Sequence, residues 1–222
     1  MRSILTSTSG LRIGAGTVVI GALLDRRQEE LADSTLQSQG HALALINLLL
    51  IGPFVFDIVR KSFVVKHATS TVFETAKLVV VHSGLYALAH RAMHRVPPLR
   101  PLHRFHHKFQ TTVMPSSANA VSHGEFIFAY MLPFVVGAKM TCPSEGSLAA
   151  AACIVSACNL LVHTPSLRRV RWPAFLVSPE KHLMHHSDRR RVYSAPTIDW
   201  EYMASALGCH RLGPERSRSV RE

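Results

Sequence analysis

Four apolar segments limit the folds that this chain can adopt. About 20 consecutive apolar residues cross the hydrocarbon core of a bilayer as a helix, and a helix satisfies its backbone hydrogen bonds within the segment. The candidate segments are 41–59, 72–89, 126–140 and 147–163. The sequence therefore predicts an all-α fold, an integral membrane bundle of about four spanning or re-entrant helices.

Two of these segments carry features that qualify the prediction. Gly52-Pro53 lies inside the first segment and should kink it, which membrane helices tolerate. The last two segments are slightly short and are joined by a turn that contains Pro143 and Gly146. We therefore expect a helical hairpin that is tilted or crosses incompletely.

The basic residues indicate a membrane protein and an orientation. The net charge is +11, and charged residues make up only 18% of the chain, against about 25% in soluble domains. Most Lys and Arg lie in 91–108 and 164–191, beside apolar segments. The positive-inside rule predicts that this face is cytosolic. No nucleic-acid-binding motif accompanies the charge, so we expect no nucleic-acid partner.

One basic cluster disagrees with this topology. Arg60, Lys61 and Lys66 would lie on the opposite face if 41–59 and 72–89 both span the bilayer. The alternative is that one of those two segments is re-entrant, and the sequence does not decide between these topologies.

Composition divides the chain into three parts. Residues 1–40 form an N-terminal segment, interpreted as a targeting or peripheral region because 1–24 lack acidic residues. Residues 41–208 form the membrane domain. Residues 209–222 form a basic tail that we expect to be disordered. The four cysteines form no CxxC pair, which argues against a zinc ribbon or a thioredoxin motif.

Three histidine boxes stand at the edges of the apolar segments. The first has the pattern HxxxH, and the other two have the pattern HxxHH. Residues three and four apart share a face of a helix, and imidazole suits iron, zinc and copper. Eight such ligands exceed the needs of one ion and favour two. The box histidines are His90, His94, His103, His106, His107, His182, His185 and His186.

Other candidates lie near the hairpin and the boxes. His123 precedes the hairpin and His163 ends it. An ionisable residue at membrane depth is functional by default, so each is a candidate metal ligand or supports one. Glu125, Glu180 and Asp188 lie beside histidines. These carboxylates either orient imidazoles or are solvated charges.

From residue 86 to residue 200 the sequence resembles the fatty acid hydroxylase/sterol desaturase superfamily of membrane enzymes. The run HRAMHRVPPLRPLHRFHH at 90–107 is especially similar to that superfamily. The resemblance implies a non-haem centre of two Fe ions, held by the box histidines with His123 and His163. It also implies O₂ as co-substrate and electrons from cytochrome b5 or a similar donor. The implied reaction is hydroxylation or desaturation of a sterol, fatty acyl chain or related lipid.

Several alternatives stay open. A carotenoid hydroxylase would use the same chemistry, and a degenerate relative would keep the metal without turnover. A membrane zinc hydrolase would need a general base, and no HExxH motif supplies one. A metal transporter or sensor would place ionisable residues within the spans. The endoplasmic reticulum is the expected membrane, with plastid and mitochondrial membranes as alternatives.

Overall fold

The computed structural model describes residues 8–26, 34–65, 69–110, 113–189 and 192–209, and these residues form an all-helical fold. Within these ranges, the only β-type pairing is an isolated bridge between Leu176 and Ile198. The α-helices are α1 (Thr8–Asp25), α2 (Ser34–Ile46), α3 (Gly52–Phe63), α4 (Val72–Arg95), α5 (Arg100–His103), α6 (His123–Glu125), α7 (Leu132–Thr141), α8 (Glu145–Val162), α9 (Pro179–Asp188) and α10 (Trp200–Ala206).

Among the residues that the structure describes, three helices are long and apolar enough to cross a membrane: Thr35–Phe63, Val72–Arg95 and Glu145–Val162. They indicate an integral membrane protein and confirm the predicted helical bundle. The remaining predicted segment, 126–140, is helical but is not among these three. A short turn joins α7 to α8, and both helices pack against α4.

A π-helical turn precedes a proline in each of two apolar helices. Asn47–Ile51 leads into Pro53, and Phe126–Met131 leads into Pro133. Proline cannot donate the hydrogen bond of a regular helix, and a π-helical turn changes the backbone pairing locally. The predicted distortion at Gly52-Pro53 therefore takes the form of a wide turn just before the proline.

Buried polar side chains pair with backbone carbonyls around these two turns. Asn47 donates from Nδ2 to the carbonyls of Asn119 and Val121, at 3.3 and 3.0 Å. His82 places Nε2 at 3.2 Å from the carbonyl oxygen of Tyr130, within the second turn. Such pairing satisfies carbonyl groups of irregular backbone inside an apolar region.

Helix α1 packs into the bundle through its glycines. It contacts α3 and α8, and Gly14 lies directly against the backbone of Leu48. A Cβ atom at Gly14 would stand 1.9 Å from the Leu48 carbonyl oxygen, so only glycine permits this approach. The targeting or peripheral role predicted for 1–40 stays a prediction, and residues 1–7 and 27–33 lie outside the described residues, as does 210–222 of the predicted tail.

A polar cluster closes the bundle at the start of α4, the end opposite its histidines. Oε2 of Glu74 accepts hydrogen bonds from the hydroxyls of Ser144 and Ser147, at 3.0 and 2.9 Å. These bonds fasten the hairpin turn to α4. Arg60 lies 3.8 Å from Glu145 at the start of α8, so it belongs to this end, where its charge disagrees with the positive-inside expectation. Lys66 lies outside the described residues.

Candidate metal centre

Nine histidines converge into two groups where α4, the segment after it, α8 and α9 meet. Within each group, one ligand atom from every histidine lies within 4.8 Å of all the others. The five-histidine group consists of His90, His94, His103, His107 and His185. The four-histidine group consists of His106, His163, His182 and His186.

Each HxxHH box contributes to both groups. Its first and last histidines are four residues apart and share a face, and its middle histidine points into the other group. In the second box, His103 and His107 join the five-histidine group, and His106 joins the four-histidine group. The third box has the reverse assignment, with His185 in the five-histidine group. The two groups are therefore neighbours built from the same short segments.

Backbone carbonyls fix the tautomer of one histidine in each group. Nδ1 of His90 lies 2.9 Å from the carbonyl oxygen of Tyr193, and Nδ1 of His163 lies 2.7 Å from that of Asn159. A carbonyl only accepts, so Nδ1 carries the proton in both rings. The Nε2 atoms of His90 and His163 therefore present lone pairs to their groups.

The Nε2 atoms within each group lie at the spacing of ligands that share an ion. Nε2 of His103 lies 2.9 Å from Nε2 of both His90 and His107, and Nε2 of His163 lies 2.9 Å from that of His182. Because Nδ1 carries the proton in His90 and His163, their Nε2 atoms bring lone pairs, not donors, to these contacts. Two imidazoles bound at about 2.1 Å and at right angles would be about 3 Å apart. The donor sets of both groups thus fit metal ions.

Burial keeps these imidazoles neutral, which metal binding requires. Burial, followed by the neighbouring imidazoles, lowers the pKa of His103 and His106 well below the usual range. The same causes lower the pKa of His182 and His186. Burial lowers the pKa of His163 to about 4, although its hydrogen bond to Asn159 opposes the shift.

Glu125 is the carboxylate that contacts the centre. Its Oε1 lies 2.6 Å from Nδ1 of His103, and its side chain is fully buried. Burial raises its pKa well above the usual range. Metal-bound histidines commonly pair their second nitrogen with a carboxylate, which fixes the ring. Among the carboxylates considered from sequence, Glu125 has this geometry, whereas the Glu180 side chain is exposed.

His123 lies outside both groups. Its Nδ1 stands 2.8 Å from Oδ1 of Asn47, so it joins the network around the first π-helical turn.

The carbonyls of Tyr193 and Asn159 orient histidines but were not identified from the sequence, because every residue carries a carbonyl. Asn159 itself stands four residues before His163, a spacing that places its carbonyl under the His163 ring.

An apolar cavity lies between α1, α3, α7 and α8. Its lining includes the polar residues Asn119, Tyr130 and Asn159 and the apolar side chains of Ile13, Leu48, Phe56, Phe134, Leu148 and Val155. Tyr130 places its hydroxyl 3.4 Å from that of Tyr86, and the Tyr86 ring lies 5.5 Å from the His90 ring, between centroids. One layer of side chains therefore separates the cavity from the histidines.

Spanning helices that end in paired histidine groups define a membrane protein with a candidate two-metal centre. A comparison with protein families matches residues 75–205 to the fatty acid hydroxylase family. The match covers more than half of the chain, so this protein belongs to the fatty acid hydroxylase family, within the fatty acid hydroxylase/sterol desaturase superfamily. Searches of curated proteins and of solved structures each returned no significant match. Membership implies an oxygenase-type enzyme, a membrane lipid hydroxylase or desaturase.

Proposed function

We propose that this protein is a di-iron oxygenase that hydroxylates, or desaturates, a membrane lipid such as a sterol or a fatty acyl chain. The observation that carries the proposal is the pair of adjacent histidine groups. Two redox ions, when bound there, supply the O₂ activation needed to break an unactivated C–H bond, which side chains alone cannot do. All-imidazole donor sets suit iron among the metals that proteins use for oxygen chemistry.

The chain's own residues position and insulate this centre. Neutral imidazoles hold the ions, and carbonyls of Tyr193 and Asn159 keep the lone pairs of His90 and His163 directed inward. Glu125 fixes the ring of His103 from its buried position. Such support raises ligand basicity and prevents ring rotation. Burial of the histidines excludes bulk water, which would otherwise intercept reactive species.

The apolar cavity supports a lipid substrate. It lies among α1, α3, α7 and α8, of which α3 and α8 belong to the candidate spans, and one layer of side chains separates it from the histidines. Its mostly apolar lining can replace the hydrocarbon that surrounds an acyl chain or sterol body in the bilayer, and the cavity offers few polar partners to any other class of molecule. We infer that the reaction serves lipid biosynthesis. The membrane is most simply that of the endoplasmic reticulum, and cytochrome b5 or a similar carrier supplies the electrons.

Metal analysis and lipid analysis test this function together. The wild-type protein, purified in detergent, should hold about two irons per chain and should convert a lipid extract only with O₂ and a reductant. His106→Ala/His185→Ala removes one ligand from each group and should lose both iron and product. His41→Ala removes a histidine that contacts Ser116 outside both groups and should retain both. One zinc per chain with hydrolytic products would overturn the proposal in favour of a membrane zinc hydrolase.

A further inference from the structure

A basic groove lies on the surface next to the four-histidine group. Its floor is the segment 164–178, called here the arginine loop, which joins α8 to α9. The residues that line the groove are Pro165, Ser166, Arg168, Arg169, Val170, Arg171, Trp172, Pro173, Ala174, Leu176, Ser178, Glu180 and Lys181. None of them belongs to either histidine group, so the proposed reaction does not use this surface directly.

The positive charge of the groove is largely uncompensated. Arg168, Arg169 and Arg171 are exposed, and none of them has an ion-pair partner within the part of the chain that the structure describes. Lys181 is paired with Asp199 at 2.6 Å, and Glu180 is the carboxylate in the lining. A concave surface with an excess of one sign of charge attracts oppositely charged partners and accelerates their association.

The arginine loop is held in a defined conformation. The N–H of Val177 donates to the carbonyl of Thr197 at 2.8 Å, and the N–H of Asp199 donates to that of Phe175 at 2.9 Å. At the other end, the N–H of Leu167 donates to the carbonyl of Thr164 at 3.0 Å. A surface that is already ordered loses little conformational entropy when a partner binds.

Both ends of the arginine loop are continuous with metal-ligand candidates. The loop begins one residue after His163 and ends shortly before His182, and both belong to the four-histidine group. A carrier seated on this loop would therefore be joined through a few residues of backbone to two histidines of that group. The exposed side chains of Val170 and Phe175 add apolar contact beside the charges, as in protein interfaces.

We propose that the arginine loop is the docking surface for an acidic one-electron carrier protein that reduces the metal centre. This inference rests on the proposed function. Hydroxylation of a C–H bond consumes one O₂, two protons and two electrons. One oxygen atom enters the product and the other leaves as water. Two reduced carriers must therefore visit in each turnover, and each is oxidised by one electron. A transient, charge-steered contact suits this exchange better than a tight complex.

Charge reversal tests the docking surface separately from catalysis. The protein would be placed in nanodiscs of neutral phosphatidylcholine, with the soluble domain of cytochrome b5 as the acidic probe. Arg168→Glu/Arg171→Glu should raise the Kd for the probe by about ten-fold or more and flatten its dependence on salt. Arg26→Glu/Lys139→Glu changes the net charge equally at exposed positions away from the loop and should leave the Kd unchanged.

A chemical reductant separates failure of docking from failure of the function. With dithionite in place of the carrier, the Arg168→Glu/Arg171→Glu protein should form wild-type amounts of product in a single turnover. Absence of product from the wild type under dithionite would reject the proposed function, whereas the probe Kd would still report on docking. An unchanged Kd in the loop variant would overturn the docking proposal. The docking proposal would also be overturned if Arg168→Glu/Arg171→Glu lost binding to phosphatidylserine vesicles but kept binding to the probe. That result would assign the loop to the membrane surface.

Discussion

His106 and His107 are neighbours in the chain, yet their rings serve different histidine groups, with centroids 5.9 Å apart and ring planes inclined at 74°. Adjacent residues of a helical turn point about 100° apart, so a single HxxHH box can reach two ions. This relationship makes the two groups separable by mutation.

Paired substitutions in the second box should reveal this separation. His103→Ala/His107→Ala removes two ligands from one group and should leave about one iron per chain. His106→Ala/His107→Ala removes one ligand from each group and should lower occupancy at both. Iron per chain, measured across a titration with a chelator, distinguishes the two patterns. Equal and complete loss in both double variants would show that the groups bind metal as a single unit.

The Glu125 carboxylate should strengthen metal binding through His103. Glu125→Gln keeps the size of the side chain but replaces the carboxyl group that pairs with Nδ1 of His103 by an amide, and loss of such a partner typically lowers metal affinity about 10–100-fold. The weakened site should be the five-histidine group, leaving the second iron in place. Glu180→Gln, at an exposed carboxylate, is the matched control. Wild-type affinity in Glu125→Gln would show that Glu125 contributes packing alone.

Much of this centre could be predicted from sequence, because the chemistry lies in side chains at regular spacing. The HxxxH and HxxHH patterns identify eight of the nine clustered histidines, since helical periodicity alone aligns them. Segment 72–89 falls within α4, and segment 147–163 matches α8 except for its last residue, because long apolar runs have few other solutions. Histidine spacing and apolar runs are local patterns, so a single sequence is enough to identify them.

Features that depend on tertiary contact could not be predicted in this way. His123 and His163 looked equivalent in sequence, yet His163 enters the four-histidine group and His123 pairs with Asn47. The difference arises from how the first π-helical turn packs. Similarly, 126–140 looked like a spanning helix, but the structure does not place it among the three candidate spans. The packing of α1 against α3 and α8 likewise depends on tertiary contact that no local pattern specifies.

The close approach of α1 leads to a prediction about stability. Gly14→Ala would put a Cβ atom 1.9 Å from the Leu48 carbonyl oxygen. The backbone fixes the positions of both atoms, so α1 must shift to relieve this clash. Overpacking of this kind typically costs about 1–3 kcal/mol. Gly16→Ala is a matched control, because a Cβ there meets nothing within 4 Å, and alanine favours a helix by about 0.5–1 kcal/mol. Thermal unfolding in detergent should show a lower midpoint for Gly14→Ala and a higher midpoint for Gly16→Ala than for the wild type. Equal midpoints of the two variants would contradict the packing of α1.

Acid should destabilise the metal-free protein through its buried imidazoles. An unfolded histidine titrates near pH 6.5, whereas burial lowers the pKa of His163 to about 4. Between these values the unfolded chain binds more protons than the folded chain, so stability falls as the pH drops from about 6.5 towards 4. Each such histidine contributes a slope of up to about 1.4 kcal/mol per pH unit. Thermal midpoints of chelator-treated protein should therefore decline across this window, and less steeply in His163→Gln. If the thermal midpoint of the metal-free protein does not change between pH 7 and pH 5, the prediction is wrong. The imidazoles would then be exposed to water in the metal-free fold and would have the pKa of an unfolded histidine.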